Sequence, residues 1–213
     1  MLYYSKILCK DEKMAVVGRP RTFDKDEALT KAMYVFWEKG YEGTTMADLV
    51  DSIGMKAPSI YAAFGNKDAI FKDVVSHYLP IVANGQLAVL NNTPNIDEAV
   101  EKTLNECVRL FTSKDNPHTC LIMTAAINTS PEHVEHVEAL RNLRKYYQNA
   151  WETRFEKAKV ENQIQTGADT KALAEYFTTI IQGMALRAKD GAKKSDLAAT
   201  SEITLKTISS LMI

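Results

Sequence analysis

Long hydrophobic runs are missing from this 213-residue chain. No apolar stretch approaches the ~20 residues needed to cross a bilayer, so no spanning helix is expected. The first ten residues, Met1–Lys10, are too short and too interrupted to read as a signal peptide. Translation starting at Met14 instead of Met1 would make the first thirteen residues an extension. Cysteine is scarce: Cys9, Cys107 and Cys120 are an odd number without metal-site spacing, which suits a reducing cytoplasm. Strand-like alternation, internal repeats and low-complexity tracts are absent, so nearly every segment reads as helix. There is no nucleophile–base pair, no phosphate-cradling glycine loop and no Glu-x-x-His di-iron pair, which argues against an enzyme. No cofactor is expected. Net charge is scarce too, at −1, and does not by itself advertise a nucleic-acid partner.

What the chain has is enough apolar residue, 46%, for a real core, and 25% charged residues. Its length allows two modest domains or one large helical one. The most informative stretch is Thr44–Lys67. Met46, Leu49, Val50 and Ile53 fall at i, i+3, i+4 and i+7, one apolar stripe of a short helix. Thr45 stands at the N-cap position with Asp48 three residues on, a capping-box pattern. Gly54 suits the left-handed end of that helix, and Pro58 the first turn of the next. There Ile60 and Phe64 face inward, leaving Ser59, Tyr61, Ala62 and Ala63 to point elsewhere. Two short helices at this spacing predict a helix-turn-helix, which places side chains in a DNA major groove. The bland alternative, a helical hairpin in an ordinary bundle, is disfavoured because the second helix is too short and too poorly apolar to contribute much core.

The remaining elements follow from stripes and caps. A first helix over about Asp24–Lys39 carries Leu29, Ala32, Met33 and Phe36 and stops at Gly40. A fourth helix opens at Asn66 and carries Ile70, Phe71, Val74, Val75 and Tyr78. With Phe23, Trp37, Tyr41, Ile60 and Phe64 these predict one small core. Asp97–Phe111 has Val100, Leu104, Cys107, Val108 and Phe111 on one face. Thr119–Ile127 is apolar all round and predicts a buried central helix. Ser130-Pro131 opens a long helix toward Gln165, stopped at Gly167 and roughly 50 Å if unbroken. Asp169–Lys189 and Ser195–Met212 complete the chain, separated at Gly191. The expected division is a flexible extension over 1–17, a DNA-binding domain over 18–79 and a larger helical domain over 80–213.

Three segments resemble the TetR family of bacterial repressors. They are Gly18-Arg19-Pro20-Arg21, then Phe36 to Thr45, then Ser59-Ile60-Tyr61-Ala62-Ala63-Phe64-Gly65-Asn66-Lys67. The resemblance covers roughly Gly18–Tyr78; beyond that only the architecture matches. It implies an all-α fold, with a small N-terminal three-helix helix-turn-helix domain joined to a larger C-terminal ligand-binding and dimerisation domain. It also implies a homodimer that binds a palindromic double-stranded operator and is released by a small effector. Many members carry histidine where this chain has Ala63, so Ala63 is left out of the expected site.

The expected DNA contacts are Arg19, Arg21, Thr45, Lys56, Ala57, Pro58, Ser59, Tyr61 and Lys67. Arg19 and Arg21 flank Pro20 in an arm suited to a minor groove, or simply to salt-dependent affinity. Thr45 can combine N-capping with a phosphate contact. Lys56 is placed for a base or phosphate, Ala57 and Pro58 for a thymine methyl, and Ser59 for either a base or a phosphate. Tyr61 reaches the backbone, and Lys67 resembles the family's phosphate-binding lysine. Between Met1 and Lys25 six basic residues face three acidic ones, but Gly18–Leu79 holds eight basic against nine acidic. Such a domain must gather its positive charge on one side.

Phe111, Cys120, Met123, Tyr147, Trp151 and Phe177 are the candidate effector contacts, each weighed against plain core. Cys120 near a helix start, beside His118, could instead be a thiol sensor of oxidants or electrophiles, with its pKa lowered by the helix. Ile180, Ile181, Gly183, Met184, Leu205, Ile208 and Leu211 are the expected dimer surface of the last two helices. His133 and His136, beside Glu132 and Glu135, have a spacing that could hold a metal. A solvated face is the expected reading, and no metal ligand is assigned. The outside alternative is a helical protein-interaction module without DNA binding.

Overall fold

Asp24 opens the first helix by turning its carboxylate back onto the backbone. Its Oδ1 accepts from the N–H groups of Asp26 at 2.8 Å and Glu27 at 3.3 Å, donors that a helix start leaves bare. The computed structural model describes residues 24–127 and 129–209. Arg19, Arg21, Phe23 and Leu211 lie outside those residues, as does the side chain of Ile208.

Helix α1 spans Lys25–Gly43, and the expected stop at Gly40 is a kink within it, with φ 72° and ψ 175°. The positive φ turns the next N–H outward, so that Tyr41 donates to the carbonyl of Ala125 at 2.7 Å. A Cβ at position 40 would stand 3.2 Å from that same oxygen. Gly40→Ala therefore combines left-handed strain with a crowded hydrogen bond. It should destabilise by more than about 1 kcal/mol. Urea unfolding checks this.

Helices α2 (Met46–Ile53) and α3 (Ala57–Phe64) follow. Thr45 caps α2 in a capping box: Asp48 N–H donates to Thr45 Oγ1 at 3.1 Å, and Thr45 N–H donates to Asp48 Oδ2 at 2.9 Å. Hydrogen bonds from Lys39 and Thr45 hold the Asp48 carboxyl down at about 2. Its contribution is therefore full above the unfolded carboxylate range near ~4 and is lost as pH falls through about 2. Gly54 closes α2 at φ 78°, and Ile60 and Phe64 of α3 are buried.

Helix α4 (Lys67–Val82) starts at Asn66, whose Oδ1 accepts from Ala69 N–H at 2.9 Å. It does not stop at Pro80. The helical run continues through a π-helical turn at Ala83–Leu87 into α5 (Ala88–Asn92). The expected 79/80 division thus falls inside one helical run. The head residues Phe71 and Tyr78 share a single core cluster with Leu104 and Leu121 of the body.

The body contains α6 (Ile96–Phe111), α7 (Leu121–Thr124), α8 (Val134–Val160), α9 (Thr170–Lys189) and α10 (Lys194–Ser209). Helix α9 packs on α8, α10 on α6, and α4 on α1. Two expected helices are shorter. The stretch 119–127 is buried over most of its length but helical only at Leu121–Thr124, and Ile127 is exposed. Its carbonyls serve other segments: Thr119 O accepts from the Trp37 indole, Ile122 O from Arg144, and Ala125 O from Tyr41. The long helix begins with a 3₁₀ turn at Pro131–His133 and ends at Val160, so its 27 residues span about 40 Å. Asn162 then takes a left-handed conformation at φ 56°, which asparagine tolerates better than most residues.

Candidate nucleic-acid interface and effector cavity

Helix α3, the expected reading helix, is anchored by its inward residues and offers the rest. Ile60 and Phe64 are buried, whereas Lys56, Pro58 and Ser59 are exposed and Tyr61 is half exposed at 50%. Ala57 is partly covered and Thr45 exposed. The Thr45 hydroxyl is already engaged, donating to Asp48 Oδ2 at 2.8 Å, so a phosphate would have to exchange with that carboxylate.

Most of the head's described lysines are already engaged by partners. Lys25 pairs with Asp73, Lys31 with Glu27, Lys39 with Asp48 and Lys72 with Glu135. Lys67 donates to the carbonyls of Tyr41 at 3.1 Å and Thr44 at 3.2 Å, its ammonium 4.2 Å from the Tyr41 ring centre. It fastens the end of α1 to the start of α4 while keeping its positive charge beside α3. Among the described residues of the head, Lys56 is the lysine with no ion pair or side-chain hydrogen bond. It stands immediately ahead of α3.

The junction between head and body is polar and aromatic. Trp37 Nε1 donates to Thr119 O at 3.0 Å, and the backbone N–H of Ser130 donates to Glu42 at 2.6 Å. Asp68 Oδ1 accepts from Tyr41 OH at 2.5 Å and lies 2.8 Å from His136 Nε2. His136 is 1% exposed, so the solvated face expected for His133 and His136 is not what forms there. Burial pushes the Asp68 carboxyl up, but hydrogen bonds from Tyr41 and His136 outweigh it, and the net direction is down.

Deeper in the body a small cavity, about 30 Å³, lies against the π-helical turn. Val82, Gln86 and Leu87 form one side, and Cys120, Met123, Tyr147 and Trp151 another. Thr178 and Ile181 of α9 and Thr103 of α6 complete much of the wall. No charged side chain lines it. Gln86 Nε2 and Thr178 Oγ1 are buried without a hydrogen-bond partner. Cys120 Sγ accepts from Tyr78 OH of α4 at 3.5 Å.

The model of the family described as bacterial regulatory proteins, tetR family, matches residues 28–74. The HTH-type transcriptional repressor ComR of Escherichia coli (strain K12) is 32% identical over 190 residues, 89% of this chain and 90% of its own. The chain belongs to the TetR family. Among solved structures, a cysteine-substituted variant of the TetR-family regulator CifR, complexed with 26 bp double-strand operator DNA, is 34% identical. It covers 89% of this chain and 98% of its own, at a TM-score of 0.85. A TetR regulator from Rhodococcus sp. RHA1 is 30% identical, covering 87% and 98%, at a TM-score of 0.60.

As a TetR-family member this protein is a DNA-binding transcriptional regulator and not an enzyme. No described helix is long and apolar enough to cross a membrane. Of the candidate effector contacts, Cys120, Met123, Tyr147 and Trp151 line the cavity; Phe111 and Phe177 are buried and do not line it. Phe177 stacks on Trp151 at 4.8 Å. Gln86 and Thr178 were missed; polar residues inside helices carry no local signal of what they face. Of the dimer set, Ile181 and Met184 are buried within the subunit, whereas Gly183 is exposed and Ile180 and Leu205 are partly so.

The Cys120 thiol runs opposite to the helix-start expectation. Burial raises its pKa, and the Tyr78 hydroxyl and the backbone N–H groups of Met123 and Ile122 offset only part of this. Cys107 is raised well above its ordinary value by burial. Iodoacetamide at pH 8 should therefore alkylate both in the folded protein at least tenfold more slowly than in urea, since the thiolate is the nucleophile. Peptide mass spectrometry reads the rates.

Proposed function

We propose that this TetR-family regulator is a repressor that binds an inverted-repeat operator as a homodimer and is released by a small neutral effector entering the cavity. It acts in the cytoplasm. The observation that carries this reading is the shared wall: Val82, Gln86 and Leu87 belong to the same helical run as Lys67, which adjoins α3. About 30 Å³ accommodates water, whereas small-molecule sites usually occupy ~300–1,000 Å³. An effector must therefore push walls apart, and a displaced α4 carries the head with it. Two recognition helices matched to half-sites ~34–36 Å apart lose that match when the heads move. An effector that lowers DNA affinity tenfold to a hundredfold needs a preference of about 1.4–2.7 kcal/mol for the released form.

The lining supports an effector that is uncharged and mostly apolar, presenting an acceptor to Gln86 Nε2 and a polar group to Thr178. The dimer surface consists of the exposed faces of α9 and α10, where Ile180 and Gly183 are joined by Leu186 and by Leu205 and Ile203. Leu186 and Ile203 are 54% and 66% exposed. Such apolar exposure suits a four-helix contact between copies. DNA contact falls to Lys56, Ala57, Pro58, Ser59 and Tyr61, with Thr45 and Lys67 on phosphates and Arg19 and Arg21 from the arm. The thiol-sensor reading retains one favourable observation, that Cys120 lines the cavity and touches Tyr78. Cys120→Ser separates the two, because only a thiol sensor loses its response.

Fluorescence anisotropy on an operator duplex, with a panel of neutral apolar compounds, tests the cavity. Thr178→Leu fills it. Release of wild type by a compound that no longer releases Thr178→Leu, at equal DNA affinity, supports the assignment. Equal release of both proteins would place the effector elsewhere.

A further inference from the structure

The junction between head and body holds a cluster that DNA recognition does not use. Asp68 lies in the first turn of α4; His133 and His136 lie at the start of the long helix of the body. Their ligand atoms all fall within 4.8 Å of one another. His136 Nε2 is 2.8 Å and His133 Nδ1 3.4 Å from Asp68 Oδ1. We propose that these three residues form a binding site for one divalent transition-metal ion, for which zinc is the probe, and that the bound ion clamps the head to the body.

Four features carry this. First, zinc with bonds of ~2.0–2.2 Å spaces tetrahedral ligand atoms by roughly 3.3 Å; the 3.4 Å from His133 to Asp68 matches this, and the 2.8 Å from His136 reaches it by opening about half an ångström. Second, the nitrogen donors are held in advance. The His136 ring is 4.4 Å from Tyr41 and 4.9 Å from Phe71 by ring centres, and it is almost wholly buried. Third, one carboxylate oxygen is the point on which the cluster converges: Tyr41 OH donates to it at 2.5 Å, and the two imidazole nitrogens lie 2.8 and 3.4 Å from it. Fourth, the ligands come from two elements, so the ion ties α4 to α8, as structural zinc sites tie separate segments. The side chains of Asp68 and His133 are 30% and 27% exposed, which gives an ion a way in.

Further oxygen donors are at hand. Tyr41 OH is 3.3 Å from His133 Nδ1, and Glu135 Oε1 is 4.0 Å from His136 Nε2. The remaining position of a three-ligand site falls to one of these or to water. Binding through His136 Nε2 requires that nitrogen to be without a proton, so metal uptake displaces the hydrogen bond it now shares with Asp68. Nothing in this step depends on the operator or the effector, so it stands whether or not the effector reading does.

The test uses untagged, metal-free, full-length protein titrated with Zn²⁺ against a chromophoric chelator. The expected result is one Zn²⁺ per chain, weakened at least tenfold in Asp68→Asn and in His133→Ala. His133→Ala removes a partly exposed ligand, and its circular dichroism should match wild type. At a hundredfold excess of Zn²⁺ over the wild-type Kd, the wild-type melting temperature should rise by roughly 5 °C or more, and that of His133→Ala by about half as much or less. No saturable site, or full affinity in both variants, would overturn the assignment. A bound ion without a thermal shift would overturn the clamp.

Discussion

Lys56→Ala is expected to weaken operator binding by about 1–3 kcal/mol, roughly fivefold to more than a hundredfold, and to relax the preferred sequence at the base it faces. The size follows from its isolation. The other described lysines of the head have ion pairs or backbone partners, so their charge toward a duplex is already shared. Lys56 is exposed just ahead of α3 and free to turn. Tyr61→Phe is the companion: it removes one hydroxyl from a half-exposed ring, and should weaken all sequences alike by about tenfold. Neither change touches the core, so stability should stay within about 0.5 kcal/mol of wild type. Anisotropy on specific and scrambled duplexes at several salt concentrations separates the two roles. Wild-type affinity in both variants would show that α3 is not the reading helix.

Trp37→Ala should cost about 3–5 kcal/mol of stability, a large share of the ~5–15 kcal/mol typical of a folded domain. The indole is 2% exposed and meets Tyr78 edge-on at 4.9 Å, so its loss opens a cavity between α1 and α4. It also leaves the Thr119 carbonyl without its donor. Trp37→Phe keeps most of the volume and loses the hydrogen bond, so it should cost distinctly less, about 1–3 kcal/mol. Because Thr119 belongs to the body, the Ala variant should loosen the junction as well as the head. Urea denaturation gives the stabilities, and hydrogen exchange over residues 119–126 reads the junction.

The features legible in the sequence were those decided within a few residues. Asp24, Thr45, Asn66, Asn95 and Asp169 cap their helices through their own side chains. With Asn95 as its cap, the helix expected from Asp97 starts one residue earlier, at Ile96. Gly54 and the Ile60/Phe64 spacing are likewise local signals, although the finished helix-turn-helix also leans on α1, where Ser52 Oγ donates to Lys31 O and Lys39 pairs with Asp48. What failed depended on partners far along the chain. The 119–127 stretch has the composition of a buried helix, but Trp37 and Tyr41, some eighty residues away, take the carbonyls at its ends. Ile181 and Met184 are as apolar as Ile180, and periodicity alone cannot say which face of α9 meets the subunit's own core. Gln86 and Thr178 look like ordinary surface positions until the π-helical turn and α9 bring them to one cavity. His136 reads as solvated because the aromatic walls around it, Tyr41 and Phe71, belong to another domain's helices.

Selection of bound duplexes from a random DNA pool by the purified protein, near physiological salt, tests the central claim most directly. A single inverted repeat with half-sites about one helical turn apart, or a multiple of that, is the expected result. Its recovery should fail for Lys56→Ala or shift to a different consensus. Unselective recovery, or none, from a folded dimer without effector would contradict the account. The helix-turn-helix would then not be what this protein uses to regulate.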